Sequence, residues 1–473
     1  MEKIKRLKKT FKKENIDGYI IPKNDEFFGE YVLEHKDRLK FISEFSGSYG
    51  FAVILRKKNY LFVDGRYTLQ AKRQCGKIFN IVTFPNQMPK DIFKNRKLTL
   101  GFDPNILTNK FLKDFFNIKS LKLIPFNENL VDKIWNRRIK KKKQRKFYIL
   151  PQNAGNESYK FKIKKVISFL NKASIDYQFV SSSENIAWLL NIRGNDSKYS
   201  PIPNSYILVD KYKNIKLFCD LGKITSDFKK FFNEIQFLEI NSIRKILNKI
   251  QNKSFAIDKN TCSIYFENLF SKDNKIINTH DPIYNFKAIK TKREIDQIKK
   301  AHIYDGIALT KYLFWLRNNF EKKKITEISA SKKLYEFRKK NSNFKFSSFP
   351  TISGSGPNGA IIHYKATNDT NRVLHKGDIY LVDSGGQYEF GTTDVTRTVS
   401  LKNSNLRIKN IFTRVLKGHI AVASFKLNSK TSGSEIDFVA RKYLKQIGLN
   451  YSHGTGHGVG YFLNVHEGPQ AIS

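Results

Sequence analysis

The chain has 473 residues, which corresponds to two to four domains at roughly 100–200 residues per domain. Its 40% hydrophobic and 27% charged residues exclude a wholly disordered or collagen-like protein. The formal net charge of +44 comes from lysines spread along the whole chain, without an RNA-binding aromatic motif or zinc-finger spacing, so the charge alone does not predict nucleic-acid binding.

The N-terminus is basic but lacks the apolar segment of a secretory signal. No apolar run reaches about 18 residues, so the sequence predicts no membrane span. The three cysteines (Cys75, Cys219 and Cys262) are scattered, which argues against a disulfide framework and predicts a cytoplasmic protein.

The first 285 residues contain an internal echo of helices and short apolar strands. The separation from Asp17 to Asp64 is 47 residues and that from Asp176 to Asp220 is 44. This pattern predicts two related α/β domains, although two ordinary α/β units could resemble each other by chance. The first copy is predicted as a helix near 2–14, a strand at 18–22 and a strand pair in 50–64; the second as a helix near 157–172, a strand at 177–180 and a strand pair in 205–220.

Two boundaries separate the predicted domains. The like-charged run at 135–147 indicates a solvated linker, and a second boundary falls near 281–286. Beyond it, Thr291 and Glu294 have capping-box spacing and open a helix that should run to about Phe320. Further helices are predicted at 326–340, 405–425 and 434–446, the last one starting at Ser434 and Asp437. The predicted divisions are 1–134, 135–147, 148–285 and 286–473.

The composition changes near residue 350. Fifteen of the 26 glycines lie in 351–473, together with four histidines that each belong to a dense motif. Glycine-rich strands and loops with clustered histidines are typical of an active-site region. The histidines are His363, His453, His457 and His466.

Two aspartates in this region are predicted to lie on neighbouring strands. Asp383 ends the apolar run YLVD, and Asp394 lies in GTTDVTRT. A hairpin would bring both side chains to one face, where the carboxylates would repel each other unless a cation lay between them. Each aspartate taken alone could equally be an ordinary turn or cap residue.

Three further motifs contain the histidines. In Ser452–Gly460, four glycines leave His453 and His457 with little surrounding bulk, which suits one metal ligand and one hydrogen-bond donor. His466 lies in NVHEGP, and His363 follows FPTISGSGPNG. A lone histidine is more often a hydrogen-bonded structural residue than a catalyst. His466 and His363 are therefore candidates only because the other motifs occur in the same region.

The five motifs, in this order, resemble the pita-bread metallopeptidases, and specifically the large three-domain form of aminopeptidase P (Xaa-Pro aminopeptidase). The motif match covers residues 349–469. The resemblance implies an α/β and α+β multidomain fold, with two related α/β N-terminal domains followed by a pita-bread catalytic domain that is incomplete here. It also implies a cytoplasmic enzyme that commonly forms dimers.

The resemblance also implies roles for individual residues. Asp383, Asp394 and His457 fall at metal ligands of the family, which usually holds two Mn²⁺ ions; this suits an oxygen-rich ligand set. His363, His453 and His466 correspond to histidines that contact the substrate or assist proton transfer. The implied reaction releases the N-terminal residue from peptides with proline at the second position, through a water activated by two metal ions.

The sequence departs from the family pattern at its C-terminal side. The family supplies two further glutamate ligands beyond NVHEGP, whereas the only acid after His457 here is Glu467, which is not a ligand in the family motif. We therefore expect a fragment or a natural short form, with little or no activity by itself. Two alternatives stay open: a prolidase acting on Xaa-Pro dipeptides, and a non-catalytic pita-bread protein that binds RNA or basic-surface partners.

Overall fold

A computed structural model describes residues 1–137, 145–151, 154, 157–402 and 404–473. The chain divides into two compact units, Met1–Lys287 and Ala288–Ser473. Most of the predicted basic linker, residues 138–144, lies outside the described residues. The predicted limits of the three domains remain predictions.

The first part of the N-terminal unit is a six-stranded mixed sheet with strand order β4-β3-β2-β1-β5-β6. Strand β1 pairs antiparallel with β2 and parallel with β5, so the sheet mixes both pairings. Apolar clusters cover its two faces. The elements are α1 (Glu2–Lys13), β1 (Gly18–Pro22), α2 (Arg38–Ser43), β2 (Phe51–Leu55), β3 (Asn59–Asp64), α3 (Thr68–Cys75), β4 (Asn80–Phe84), α4 (Pro89–Phe93), β5 (Leu98–Phe102), α5 (Asn109–Phe116), β6 (Leu121–Pro125) and α6 (Leu130–Ile134).

The second part of this unit repeats the arrangement, with strand order β12-β11-β10-β8-β13-β14. Strand β8 pairs antiparallel with β10 and parallel with β13, as β1 does with β2 and β5. The elements are β7 (Tyr148–Ile149), α7 (Tyr159–Lys172), β8 (Tyr177–Val180), α8 (Ser183–Leu190), β9 (Ile192–Arg193), β10 (Tyr206–Asp210), β11 (Ile215–Cys219), α9 (Ser226–Phe231), β12 (Ile235–Glu239), α10 (Ile243–Leu247), β13 (Ser254–Asp258), α11 (Ile264–Ser271), β14 (Lys275–Thr279) and α12 (Pro282–Ala288).

An aspartate occupies the same place before the first strand of each sheet. Asp17 accepts a hydrogen bond from the backbone N–H of Thr99 at 2.9 Å, and Asp176 accepts one from Ser254 at 2.9 Å. Each bond joins a central strand to its parallel neighbour at equivalent positions. The prediction of two related α/β domains is therefore confirmed, both in topology and in this detail.

The three cysteines lie in the N-terminal unit and are buried free thiols, which confirms the absence of a disulfide framework. Burial raises the pKa of Cys75 and of Cys219 to about 12 and that of Cys262 well above its usual value. These thiols are therefore protonated and act as small apolar side chains of the core.

The C-terminal unit combines helices with short antiparallel sheets. Strands β16, β17 and β20 form one sheet, β15, β18 and β19 a second, and β21 pairs with β22. Its elements are α13 (Lys292–Asn319), α14 (Glu327–Lys339), β15 (Phe344–Ser347), β16 (Ile352–Ser355), β17 (Ile379–Ser384), β18 (Gly386–Tyr388), β19 (Gly391–Thr392), β20 (Val395–Ser400), α15 (Leu406–Ala423), α16 (Gly433–Lys445), β21 (Gly456–Gly458) and β22 (Glu467–Ile472).

Helix starts in this unit follow their caps. Thr291 and Glu294 form the predicted capping box at the start of α13. The cap of α16 was predicted at the wrong residues: Ser432 caps the helix through a box with Glu435, and Ser434 and Asp437 lie inside it. A residue in the cap must have non-helical backbone, which Ser432 has and the other two lack. Among the described residues, no helix combines the length and apolar character needed to cross a membrane.

The hydrogen bond from Ser254 of β13 to Asp176, directly before β8, should stabilise the N-terminal unit in a pH-dependent way. The backbone N–H of Ser254 and the ammonium of Lys211 lower the pKa of Asp176 to about 2. A carboxyl with a lowered pKa contributes stability above about pH 4, and the contribution is lost as the pH falls towards 2. We expect Asp176→Asn to cost about 1–2 kcal/mol at pH 7, and the deficit in melting temperature to shrink below pH 4.

Melting curves from pH 2.5 to pH 7 measure this difference. The exposed Asp273 provides the control, since Asp273→Asn should leave the melting temperature unchanged over the same range. A deficit for Asp176→Asn that stays constant down to pH 2.5 would contradict the ionic origin of the effect.

Candidate metal centre

The register between β17 and β20 places the two predicted aspartates on one face. Asp383 lies opposite Thr396, and Asp394, two residues before Thr396 and directly before β20, falls on the same side of the pleat. The two strands pair antiparallel, as the predicted hairpin requires, and the residues between them form β18 and β19 of another sheet. A longer connection leaves the pairing of β17 with β20 intact.

The carboxyl groups of Asp383 and Asp394 are in contact. Burial, followed by the negative charge of Asp394, raises the pKa of Asp383 to about 7, and a hydrogen bond between the two carboxyl groups contributes to the shift. The hydroxyl of Thr396 interacts with Asp383 in the opposite sense. The pair therefore shares a proton near neutral pH in the absence of a cation.

Two imidazole rings complete the cluster. Nε2 of His457 lies 3.3 Å from Oδ2 of Asp394, and the rings of His457 and His466 are 4.3 Å apart between centroids. One ligand atom from each of Asp394, His457 and His466 lies within 4.8 Å of the others. His457 lies on β21 and His466 directly precedes β22, and these two strands pair antiparallel with a register shift between His457 and Gly458.

The other two predicted histidines lie on loops of the same unit. His363 is half-buried in the turn that follows the 3₁₀ helix Gly356–Ala360. Nδ1 of His453 lies 2.7 Å from the carbonyl oxygen of Gly454, and Arg441 of α16 donates to the carbonyl oxygen of His453. The structure therefore does not bring these two into the group of three close ligand atoms.

Helix α16 holds the glycine-rich loop in place. Arg441 donates to the carbonyl oxygen of Tyr451 at 2.6 Å and lies over its ring. Asp437, which the sequence suggested for the helix start, accepts hydrogen bonds from Arg441 and from the hydroxyl of Thr455. The side chain of Asp437 therefore fixes the loop rather than the end of the helix.

A buried ion pair supports the strand that carries Asp383. Arg338 of α14 and Asp305 of α13 are both 1% exposed and form two hydrogen bonds of 2.7 and 2.9 Å. Arg338 also donates to the hydroxyl of Ser384, next to Asp383, at 3.0 Å, and Tyr388 donates to Asp305. The charges are thus paired and hydrogen-bonded, as burial demands.

The chemistry of the donors fits divalent cations. Oδ1 of Asp383 is buried and has no hydrogen-bond partner among the residues that the structure describes, which is costly unless a ligand satisfies the oxygen. Two carboxylates in contact would each be stabilised by a cation between them. Carboxylate oxygens with imidazole nitrogen suit ions such as Mn²⁺ or Zn²⁺.

Sequence reasoning missed three features of this cluster. It did not anticipate that His466 offers a nitrogen at ligand distance, although the nine residues from His457 to His466 suit a hairpin. It also missed Thr396 as a partner of Asp383. Glu467 is 2% exposed and forms an ion pair with Lys290; no motif pointed to that lysine.

Family models match all three parts of the chain. The model of metallopeptidase family M24 matches residues 296–473. Two models of the creatinase/prolidase N-terminal domain match residues 3–134 and 138–294. The predicted fold class, two related α/β domains followed by a pita-bread domain, is confirmed by these matches.

Individual relatives match over the full chain. A probable Xaa-Pro aminopeptidase P of Laccaria bicolor is 35% identical over a match 490 residues long, which covers 100% of this chain and 76% of the relative. The crystal structure of an X-prolyl aminopeptidase from Caenorhabditis elegans, a cytosolic enzyme with a di-nuclear active site, has a TM-score of 0.91 at 28% identity and covers 100% of this chain and 81% of that one. A prolidase from Pyrococcus horikoshii has a TM-score of 0.50 at 25% identity, with 66% of this chain and 85% of that one covered.

The shared proton of the aspartate pair predicts how the metal-free protein responds to pH. Because the pKa of Asp383 is raised to about 7, the folded protein retains a proton that the unfolded chain releases above about pH 4. The metal-free fold therefore loses stability as the pH rises from about 4 to about 7. We expect Asp383→Asn, which removes the ionisable group, to raise the melting temperature in EDTA at pH 8 and to gain little at pH 4.

Melting temperatures between pH 4 and pH 8 in EDTA measure the difference between variant and parent. The exposed Asp369 lies in the same unit, and Asp369→Asn should change nothing at any of these pH values. An equal gain for Asp383→Asn at every pH would show that the effect is steric and that the proton is not shared.

Proposed function

We propose that the C-terminal unit of this chain, which belongs to the Xaa-Pro aminopeptidases of metallopeptidase family M24, hydrolyses a peptide bond. The bond is the one before a proline at the second position of a peptide. The observation that supports this most directly is the contact among Asp383, Asp394 and His457 on one face of the catalytic unit. Oxygen and nitrogen donors in this arrangement suit divalent ions that activate a water for amide hydrolysis.

Asp383, Asp394 and His457 are the residues we propose as metal ligands, and His466 lies close enough to join them. When bound, divalent ions supply Lewis-acid polarisation of the substrate carbonyl and a nucleophilic water at neutral pH. The proton shared by the two aspartates leaves when a cation takes its place, so that both carboxylates become available as ligands.

The histidines of the site handle the substrate and its protons. The bond before proline is a tertiary amide, and its nitrogen leaves poorly unless it is protonated. We propose that His466, whose ring is exposed and lies beside that of His457, delivers that proton. We assign His363 and His453 to hydrogen bonds with the carbonyl oxygen of the substrate, where negative charge develops.

The relatives support an aminopeptidase over a prolidase, because sequence relatives that match 100% of the chain at 35% identity are Xaa-Pro aminopeptidases. The aminopeptidase structure covers the whole chain, whereas the prolidase covers 66% of it. The second N-terminal sheet is thus a feature shared with the aminopeptidase. We therefore propose peptides of three or more residues, rather than Xaa-Pro dipeptides, as substrates.

Several finer properties belong to the same proposal. We propose Mn²⁺ as the ion, because the donors include two carboxylates, and a cytoplasmic location, which the cytosolic relative supports. Dimerisation remains a prediction from the resemblance. Within the described ranges we propose three protein ligands for two ions, so we expect weak retention of the second ion and little hydrolysis.

Metal binding should depend on the aspartate pair and on His457. Titration calorimetry with Mn²⁺ should show binding by the parent chain, and Asp394→Asn or His457→Ala should weaken it at least tenfold, because each removes a donor. Asp369→Asn and His419→Ala change exposed residues of the same unit and provide matched controls. Unchanged affinity in Asp394→Asn would remove the proposed site.

Substrate preference tests the reaction itself. With Mn²⁺ added, we expect the hydrolysis of an Xaa-Pro-Yaa tripeptide by the chain, however slow, to be at least tenfold faster than that of the Xaa-Pro dipeptide or an Xaa-Ala-Yaa tripeptide. Mass spectrometry of the released amino acid measures all three rates. Preference for the dipeptide would instead indicate a prolidase.

A further inference from the structure

Glu327, at the start of α14, is a completely buried carboxylate outside the proposed metal centre. Its Oε1 accepts from the backbone N–H of Ser355 at 2.7 Å, and its Oε2 accepts from the hydroxyl of Tyr364 at 2.8 Å and from the backbone N–H of Arg372 at 3.0 Å. The side-chain amide of Asn358 donates to the same carboxylate at 3.1 Å. Four donors from one stretch of chain therefore converge on a single anion.

These donors span the segment 355–372, which connects β16 to the strand β17 that carries Asp383. The segment is short of regular structure apart from a 3₁₀ helix. Its far end is fixed next to the same helix, since Thr326 forms a bridge with Val373 and Asn371 accepts a hydrogen bond from Ile328. A loop of this length would otherwise be free to adopt many conformations.

The segment contains His363, and the Glu327 contacts lie on both sides of it. Tyr364, the next residue, donates to Glu327 and also accepts from Asn358 at 2.9 Å. The near end is equally tied to the metal centre, because Ile352 of β16 lies directly opposite Asp383. Glu327 thus connects the placement of His363 to the sheet that holds the aspartate pair.

We propose that Glu327 is a positioning residue, which holds the segment 355–372 so that His363 faces the substrate site. This assignment rests on the proposed function, because it concerns how that same site is arranged. Glu327 does not touch the aspartate pair in any described contact; it acts through Tyr364 and the backbone of the segment. Its negative charge is what the four donors require, since hydrogen bonds to a carboxylate are stronger than those to a neutral group.

The isosteric change Glu327→Gln keeps the size of the side chain and removes its charge and one acceptor. It therefore tests the positioning role apart from the packing of the side chain. The amide nitrogen can only donate, so it would face donors on one side and the segment would lose part of its anchorage. We expect backbone hydrogen exchange in peptides covering 355–372 to become at least tenfold faster, while peptides covering β17 and β20 keep their rates. Glu336→Gln, on the exposed side of the same helix, should change neither.

A spectroscopic signature of His363 provides the second measurement. With ring-labelled histidine in metal-free protein, and with His363→Gln used for assignment, the ring resonance of His363 should shift in Glu327→Gln while that of His453 stays in place. Because neither metal nor substrate is present, this result stands whether or not the chain hydrolyses peptides.

The outcomes decide the proposal. A His363 resonance that stays unchanged while exchange in the segment rises would overturn it, and so would faster exchange spread evenly over Ala288–Ser473, which would indicate a general loss of stability. If Glu327→Gln does not fold, Tyr364→Phe removes one of the four donors to Glu327, together with the acceptor of one Asn358 hydrogen bond. It should shift the His363 resonance in the same direction by a smaller amount, and no shift there would equally overturn the proposal.

Discussion

The C-terminal unit is organised around two aspartates that repel each other. Asp383 and Asp394 are brought into contact by the pairing of β17 with β20, and each is at most half-exposed. Two carboxylates at such a distance cannot both be ionised without a compensating positive charge. Three features compensate for this repulsion. The pair holds a proton at neutral pH, two imidazoles lie on one side of it, and Oδ1 of Asp383, which has no hydrogen-bond partner among the described residues, can bind a cation.

Holding such a pair in register needs a strand that cannot slide. On one side, the buried pair of Arg338 with Asp305 reaches Ser384, the neighbour of Asp383. On the other, the hydroxyl of Tyr380 on the same strand lies 2.8 Å from that of Tyr312 and 2.7 Å from that of Ser353. Buried polar groups that are fully satisfied favour one arrangement over its alternatives. A slip of one residue would turn Asp383 to the opposite face.

Much of the fold could be predicted from the sequence because its signals are local. Apolar runs bounded by turn residues predicted three adjacent strands in each N-terminal sheet, and Thr291 with Glu294 predicted the start of α13. The proximity of Asp383 to Asp394 could also be predicted, because strand periodicity relates residues that are close in the chain. The cap of α16 was assigned to the wrong residues, since Ser432, Ser434 and Asp437 are all suitable cap types and only the backbone distinguishes them.

The contacts that escaped prediction join distant parts of the chain. Lys290 and Glu467 are separated by 177 residues, and Arg338 and Ser384 by 46. Nothing in the sequence around Lys290, one of 86 basic residues, indicates that it will form a buried ion pair with a glutamate. The same applies to Glu327, whose four donors are ordinary residues until the segment 355–372 folds over it.

The distribution of thiols offers a practical handle on this architecture. All three cysteines are enclosed in the paired N-terminal sheets, and the sequence has none from Ala288 onwards. A maleimide dye would therefore report only when those sheets open, and would be blind to events around the aspartates. Conversely, a single cysteine introduced into the C-terminal unit could be labelled with a fluorophore or spin label at one defined position, without first replacing the native cysteines.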